Sequence, residues 1–96
     1  MEKSEYYSKV IKVVTELTGI AETDILGYSR RSDIVDARWL VACLLKEGGW
    51  STHRIAEAMG HPERTINHAL SNIDDRIKYG GSWLGNILAI ARKQLF

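Results

Sequence analysis

The residues of this 96-residue chain best suited to chemistry fall in two short stretches, and the chemistry they suit is holding a polyanion. One is Ser29-Arg30-Arg31-Ser32, small, polar and basic. The other runs Ser51-Thr-His-Arg-Ile-Ala-Glu-Ala-Met-Gly-His-Pro-Glu-Arg-Thr-Ile-Asn-His-Ala-Leu70. In its second half Arg64, Thr65, Asn67, His68 and the following Ser71 fall on the side of a helix opposite the apolar Ile66, Ala69, Leu70 and Ile73. Arginine presents a planar fork that suits guanine edges or phosphate oxygens. Threonine, asparagine, histidine and serine add hydrogen bonds to bases or backbone. A helix N-terminus beside Arg64 favours a nearby phosphate. Glu63 opposes phosphate by its charge, although a glutamate can accept from cytosine N4.

Other chemistries are poorly served. His53, His61 and His68 include no i, i+4 pair and no carboxylate set joins them, so neither a metal site nor a cofactor is expected. Asp74 and Asp75 are neighbours whose side chains diverge on a helix, which reads as a solvated face. Cys43 is the only cysteine, so no internal disulfide forms, and its apolar surroundings suit a small buried residue. No nucleophile, acid–base pair or phosphate-cradling Gly-x-x-x-x-Gly-Lys-Ser/Thr loop is present, so the chain reads as a non-enzyme without a small-molecule substrate. The net charge is only +1, and any phosphate affinity must come from local clustering of basic residues. No apolar run approaches a membrane span and the polar start, Met1-Glu-Lys-Ser-Glu-Tyr-Tyr, has no signal-like core. A cytoplasmic protein with no membrane partner is the expectation.

The elements that must position these residues are all helical. Tyr7, Val10, Ile11, Val14 and Leu17 recur at steps of three and four over a helix from Ser4 to about Thr18, ended by Gly19. Thr23-Asp-Ile-Leu26 is a short helical turn closed by Gly27, and the basic loop follows. Ser32 or Asp33 then caps a helix to Glu47 with Ile34, Ala37, Val41, Leu44 and Leu45 buried, stopped by Gly48-Gly49. Ser51 caps a short helix bearing Ile55, Ala56 and Met59. Gly60 supplies a tight turn with positive φ, and Pro62 opens a helix running to about Tyr79. After Gly80-Gly81, Ser82 caps a last helix in which Trp83, Leu84, Ile87, Leu88, Ala91 and Leu95 face inward. Trp39, Trp50 and Trp83 read as core or core-edge residues. The expected architecture is all-α, one domain over residues 1–96, with five to six helices and a helix-turn-helix across residues 51–70.

Over roughly Tyr7 to Leu95 the chain resembles the C-terminal DNA-binding domain (domain IV) of the bacterial replication initiator DnaA, a helix-turn-helix of the Trp-repressor-like superfamily. Ser29-Arg-Arg-Ser-Asp-Ile-Val-Asp-Ala-Arg38 is similar to that family's basic loop and Ile-Val-x-Ala-Arg helix. Gly60-His-Pro-Glu-Arg-Thr-Ile-Asn-His-Ala69 matches its Gly-Arg-Asp-His-Thr-Thr-Val-x-His-Ala signature in part, at Gly60, Thr65, His68 and Ala69. Asp24-Ile25-Leu26 has a counterpart in the family's Asp-Val/Ile-Leu turn. The resemblance implies a minor-groove role for Arg30 with Arg31 adjacent, a backbone or base contact for Arg38, and an approach to DNA by Thr65 and His68. It also departs from the family: Ser32 and Trp39 replace an arginine and a glutamine, and His61, Pro62, Glu63 and Arg64 stand at the positions most concerned with reading the family's DNA box. A changed sequence preference follows.

Together these readings give binding of double-stranded DNA, sequence-specific or semi-specific, by a replication-initiator-like or regulatory module. Arg30, Arg31, Arg38, Arg64, Thr65, Asn67 and His68 carry the contact. Arg38 has the alternative of bridging to Asp33 or Glu47, and His68 that of a helix-packing hydrogen bond. Lacking a nucleotide-binding domain, the chain is not itself an ATP-dependent initiator, and a start at Met1 favours a free-standing relative over an excised domain. The last helix, ending Leu95-Phe96, would pack on its own core or on a second copy in a homodimer. The competing reading is a helical protein-interaction module that keeps the fold without the DNA.

Overall fold

A computed structural model describes residues 5–80 and 82–96. Six helices follow one another among the described residues: α1 (Glu5–Thr18), α2 (Glu22–Leu26), α3 (Ser32–Glu47), α4 (Thr52–Met59), α5 (Glu63–Tyr79) and α6 (Ser82–Leu95). The all-α expectation holds, with boundaries within a residue or two of the capping signals. Ser4 and Gly81, expected to begin the first helix and to complete the second Gly-Gly break, lie outside the described residues, as does the side chain of Ser82, the expected cap of α6.

Helix α3 is the axis of the molecule and packs against all five other helices. Its sequence reads as one apolar stripe, yet Asp36, Arg38, Leu40 and Ala42 are buried along with Ile34, Ala37, Val41, Leu44 and Leu45. A helix surrounded on most sides buries polar as well as apolar positions, so its two buried charged residues, Asp36 and Arg38, need internal partners. The apolar faces of α1 (Val10, Ile11, Val14), α4 (Ile55, Met59), α5 (Ile66) and α6 (Leu84, Leu88, Ala91) close on α3 in a shared core with Trp50. Burying each Leu or Ile contributes about 1.5–3 kcal/mol, and this term holds six short helices together.

The α4–α5 connection is three residues long, Gly60, His61 and Pro62. Ser51 Oγ accepts the Arg54 N–H at 3.1 Å, fixing the start of α4. At its end Gly60 takes φ 73° and ψ 29°, and the Gly60 and His61 N–H groups both bond the Ala56 carbonyl, at 2.9 and 3.1 Å. This left-handed reversal is open to glycine at little cost and turns the chain sharply into α5. Tyr7 reaches across to donate to the Ala58 carbonyl at 3.3 Å, tying α1 to the end of α4.

One sequence expectation for α6 changes. Leu84, Leu88 and Ala91 are buried and Ile87 and Leu95 half-buried, but Trp83 is exposed, as are Ile90 and Phe96. Position 83 stands in the first turn, beside the α5–α6 connection, and lines an open cleft with Ser32 and Asp36 of α3 and Arg76 of α5.

Candidate nucleic-acid interface

The outward side of α5 carries Glu63, Arg64, Asn67, His68 and Ser71, all exposed, with Thr65 half-buried. Ile66, Ala69 and Ile73 are buried and Leu70 half-buried on the opposite side. The 3.6-residue period that separates these groups is why the sequence locates them correctly. Pro62 is extended at φ −62° and offers no capping side chain; the Thr65 N–H bonds the Pro62 carbonyl at 3.0 Å, and among the described residues no side chain takes the N–H groups of Glu63 and Arg64.

The orientation of α5 is set by contacts that the sequence reading misses. Arg76 pairs with the buried Asp36 of α3 and reaches toward the Ser32 carbonyl. Its guanidinium carbon lies 5.3 Å from the centre of the Trp39 ring, and the Trp39 and His68 rings meet edge-to-face at 5.6 Å and 82°. The Asn72 amide donates to the His68 carbonyl at 2.7 Å and lies 3.3 Å from His68 Nδ1. His68 is thus exposed but already braced, its ring against Trp39 and one nitrogen beside Asn72. The buried Asp36 within an apolar helix was a signal that a basic partner was needed, but not which one.

Arg38 does not share the surface with Arg30 and Arg31. Its side chain is 7 % exposed; Nε donates to the Ile25 carbonyl at 2.8 Å and Nη1 to the Ser29 carbonyl at 3.1 Å. Burial pushes its pKa down, and Nη2 has no hydrogen-bond partner. Neither Asp33 nor Glu47 is its partner, because Arg31 takes the first and Arg92 the second. The expected direct DNA contact by Arg38 is therefore replaced by an internal role: it threads inward and holds the end of α2 and the basic loop from beneath.

The loop itself is ordered by short-range bonds. Ser29 Oγ accepts the Arg31 N–H at 3.2 Å, and Arg31 forks onto Asp33 at 3.2 and 2.8 Å. That guanidinium holds the Asp33 carboxyl below the usual carboxylate range. The helix begins at Ser32 itself and Arg31 occupies the cap position without a side-chain bond, while Asp33, one of the two expected caps, accepts the first-turn N–H of Ile34 through Oδ1 at 2.9 Å from within the helix. Arg30 is exposed.

A second set of contacts joins the loop to the α4–α5 turn. Tyr28 Oη donates to the Gly60 carbonyl at 2.8 Å, and His61, 6 % exposed, donates through Nε2 to the Leu26 carbonyl at 3.0 Å. The two rings lie against each other with centres 4.5 Å apart. The sequence reading places His61 among the rewritten DNA-reading positions; it is instead turned inward, toward the loop. Tyr28, an aromatic residue in a polar segment, was the available hint.

Electrostatics sort the arginines. Among the described residues Arg31, Arg76 and Arg92 are ion-paired, Arg38 is buried on carbonyls, and Arg54 lies 3.8 Å over the Trp50 ring. Arg30 and Arg64 have no such partner. Glu63 is engaged by His53, Nδ1 to Oε2 at 2.8 Å, and its carboxylate raises the His53 pKa. Cys43 is half-buried and donates toward Glu47; burial, with the Glu47 charge, pushes the thiol up to about 12. Asp74 and Asp75 are exposed, as expected of a solvated face. Among the described residues no group of His, Cys, Asp or Glu is arranged to hold a metal ion, and no helix is long and apolar enough to cross a membrane. No protein-family model, curated protein or solved structure matches this chain.

Proposed function

We propose that the chain binds double-stranded DNA, with α4 and α5 acting as a helix-turn-helix, the first turns of α5 in the major groove and loop 29–32 on an adjacent groove. The carrying observation is the placement of the two arginines without partners. Arg30 stands two residues from Tyr28 and Arg64 three residues from His61, and those two residues are in mutual contact. Two arginines without partners are thus attached within three residues of one junction, on a chain whose net charge is close to zero. Asn67, His68 and Ser71 extend the surface with groups that hydrogen-bond to bases or backbone, and the uncapped start of α5 suits a phosphate. The His53 contact partly neutralises Glu63, the one acidic group in the first turn of α5. The resemblance to DnaA domain IV belongs to the same proposal, and with it a cytoplasmic site of action in replication or in regulation.

The test is binding of a fluorescent random-sequence duplex at low and at moderate salt. Affinity should fall steeply with salt, and Arg30→Ala and Arg64→Ala should each reduce the slope of log K against log salt by about 1. Absence of binding at low salt overturns the proposal. Selection of bound duplexes from a random pool then reads the sequence preference, and a palindromic product would mark a homodimer. The second reading, a protein-interaction module, is favoured by Asp74 and Asp75 on the outer side of α5, which repel phosphate along its C-terminal half.

A further inference from the structure

The contacts between loop 27–31 and the α4–α5 turn are reciprocal. Each side contributes one donating side chain and one accepting carbonyl: Tyr28 to Gly60 across 32 residues of sequence, and His61 to Leu26 across 35. Both carbonyls stand at helix ends, Leu26 closing α2 and Gly60 following α4, where the intrahelical donors have run out. From the opposite side, Arg38 holds Ile25 and Ser29. The loop is therefore gripped from α3 beneath and from the turn beside it, while Arg30 points to solvent.

We infer that Tyr28 and His61 are positioning residues that make the loop and the start of α5 a single two-point grip, setting where Arg30 stands relative to Arg64. The inference rests on the DNA-binding reading above and goes beyond it by naming the residues that couple its two halves. A contact on a rigid frame needs no ordering when the other contact forms, whereas a loop cut loose has to be fixed anew at each binding event. Neither residue touches DNA; each acts through the arginine it places. Their pairing also explains why His61, at a position facing DNA in the resembled family, is buried here: its imidazole is used inward.

Tyr28→Phe is the first variant, because the ring is 72 % exposed and only one hydroxyl is lost, so the core stays intact. Amide hydrogen exchange on the intact chain, without DNA, should show faster exchange on both sides of the junction, at residues 28–31 and at 60–65. A response confined to the loop overturns the coupling. With random-sequence duplex, Arg30→Ala should weaken the parent about 5-fold or more, yet weaken the Tyr28→Phe chain less than about 2-fold, while Arg64→Ala costs both chains the same factor. His61→Phe should behave like Tyr28→Phe, and His61→Gln, whose amide again donates, should restore the Arg30 effect. If Arg30→Ala costs the same factor in every background, Tyr28 and His61 merely cap helix ends and the inference fails. If the parent does not bind duplex at all, the DNA reading falls and the two-point grip with it, while exchange still reports whether the segments are coupled.

Discussion

Replacing Arg38 by methionine should destabilise the protein substantially although it removes a buried charge. The guanidinium makes two hydrogen bonds to carbonyls, at 2.8 Å to Ile25 and 3.1 Å to Ser29. Bonds from a charged donor contribute about 1.5–3 kcal/mol each, so together they hold about 3–6 kcal/mol. Against this stands Nη2, buried without an acceptor, an offset of about 1–3 kcal/mol. Methionine fills much of the volume but leaves both carbonyls without the donor, giving a net loss of about 2–3 kcal/mol at the middle of these ranges. For a chain of this size that lowers Tm by about 10–20 °C. Urea denaturation followed by far-ultraviolet circular dichroism reads the change as a shift in midpoint at unchanged slope. Arg30→Ala, on an exposed side chain without a partner, is the control and should stay within about 0.5 kcal/mol of the parent. An Arg38→Met protein as stable as that control would refute the reasoning, because the guanidinium would then not be what holds the loop.

Four further outcomes follow from the same structure. At Gly60 nothing lies within 4 Å of an added Cβ, so Ala costs only the left-handed backbone, about 1 kcal/mol, and Asn less; equal costs for Ala and Asn in thermal melts would contradict this. Gly48→Ala should cost about 1–3 kcal/mol for a different reason: the new Cβ lands on the Tyr6 ring, which bonds the Leu44 carbonyl and packs beside Phe96. Because Glu63 raises the His53 pKa, this pair stabilises the fold fully below the unfolded imidazole value of about 6.5 and ceases to do so as pH rises through the folded value. The difference in Tm between the parent and His53→Ala should therefore shrink on going from about pH 5.5 to about pH 8.5, and Glu63→Gln should remove most of that pH dependence, leaving the weaker pull of Glu57; a difference that does not change with pH counts against the pair. Cys43, its thiol pushed up to about 12, should react with a thiol reagent at neutral pH more than ~100-fold slower in the folded chain than in urea, and equal rates would show the site to be open.

Most of the helix boundaries were legible because their causes are local. Ser51 before a helical run and Gly60 after it act within four residues, and the alternation of Ile66, Ala69 and Ile73 with Arg64, Asn67 and His68 is a property of helical period alone. The outward side of α5 was readable for that reason. Arg38 and His61 were not. Both are polar residues near a basic loop or a turn, and nothing within a few positions says that one is buried at 7 % and the other at 6 % exposure. Trp83 shows the converse, an apolar residue at helical spacing that the other helices cover only in part.

Charge is where the division is clearest. Composition supplies thirteen Lys and Arg against twelve Asp and Glu and predicts little net attraction to DNA. The fold then pairs Arg76 with Asp36 across 40 residues and Arg92 with Glu47 across 45, sinks Arg38 beneath the loop, and leaves Arg30 and Arg64 free beside a common junction. Helix formation depends on caps, period and glycines that neighbours in the chain can sense. Which arginine meets which carboxylate depends on how α3 is surrounded, because only packing brings such distant charges within reach and decides which ones still face solvent.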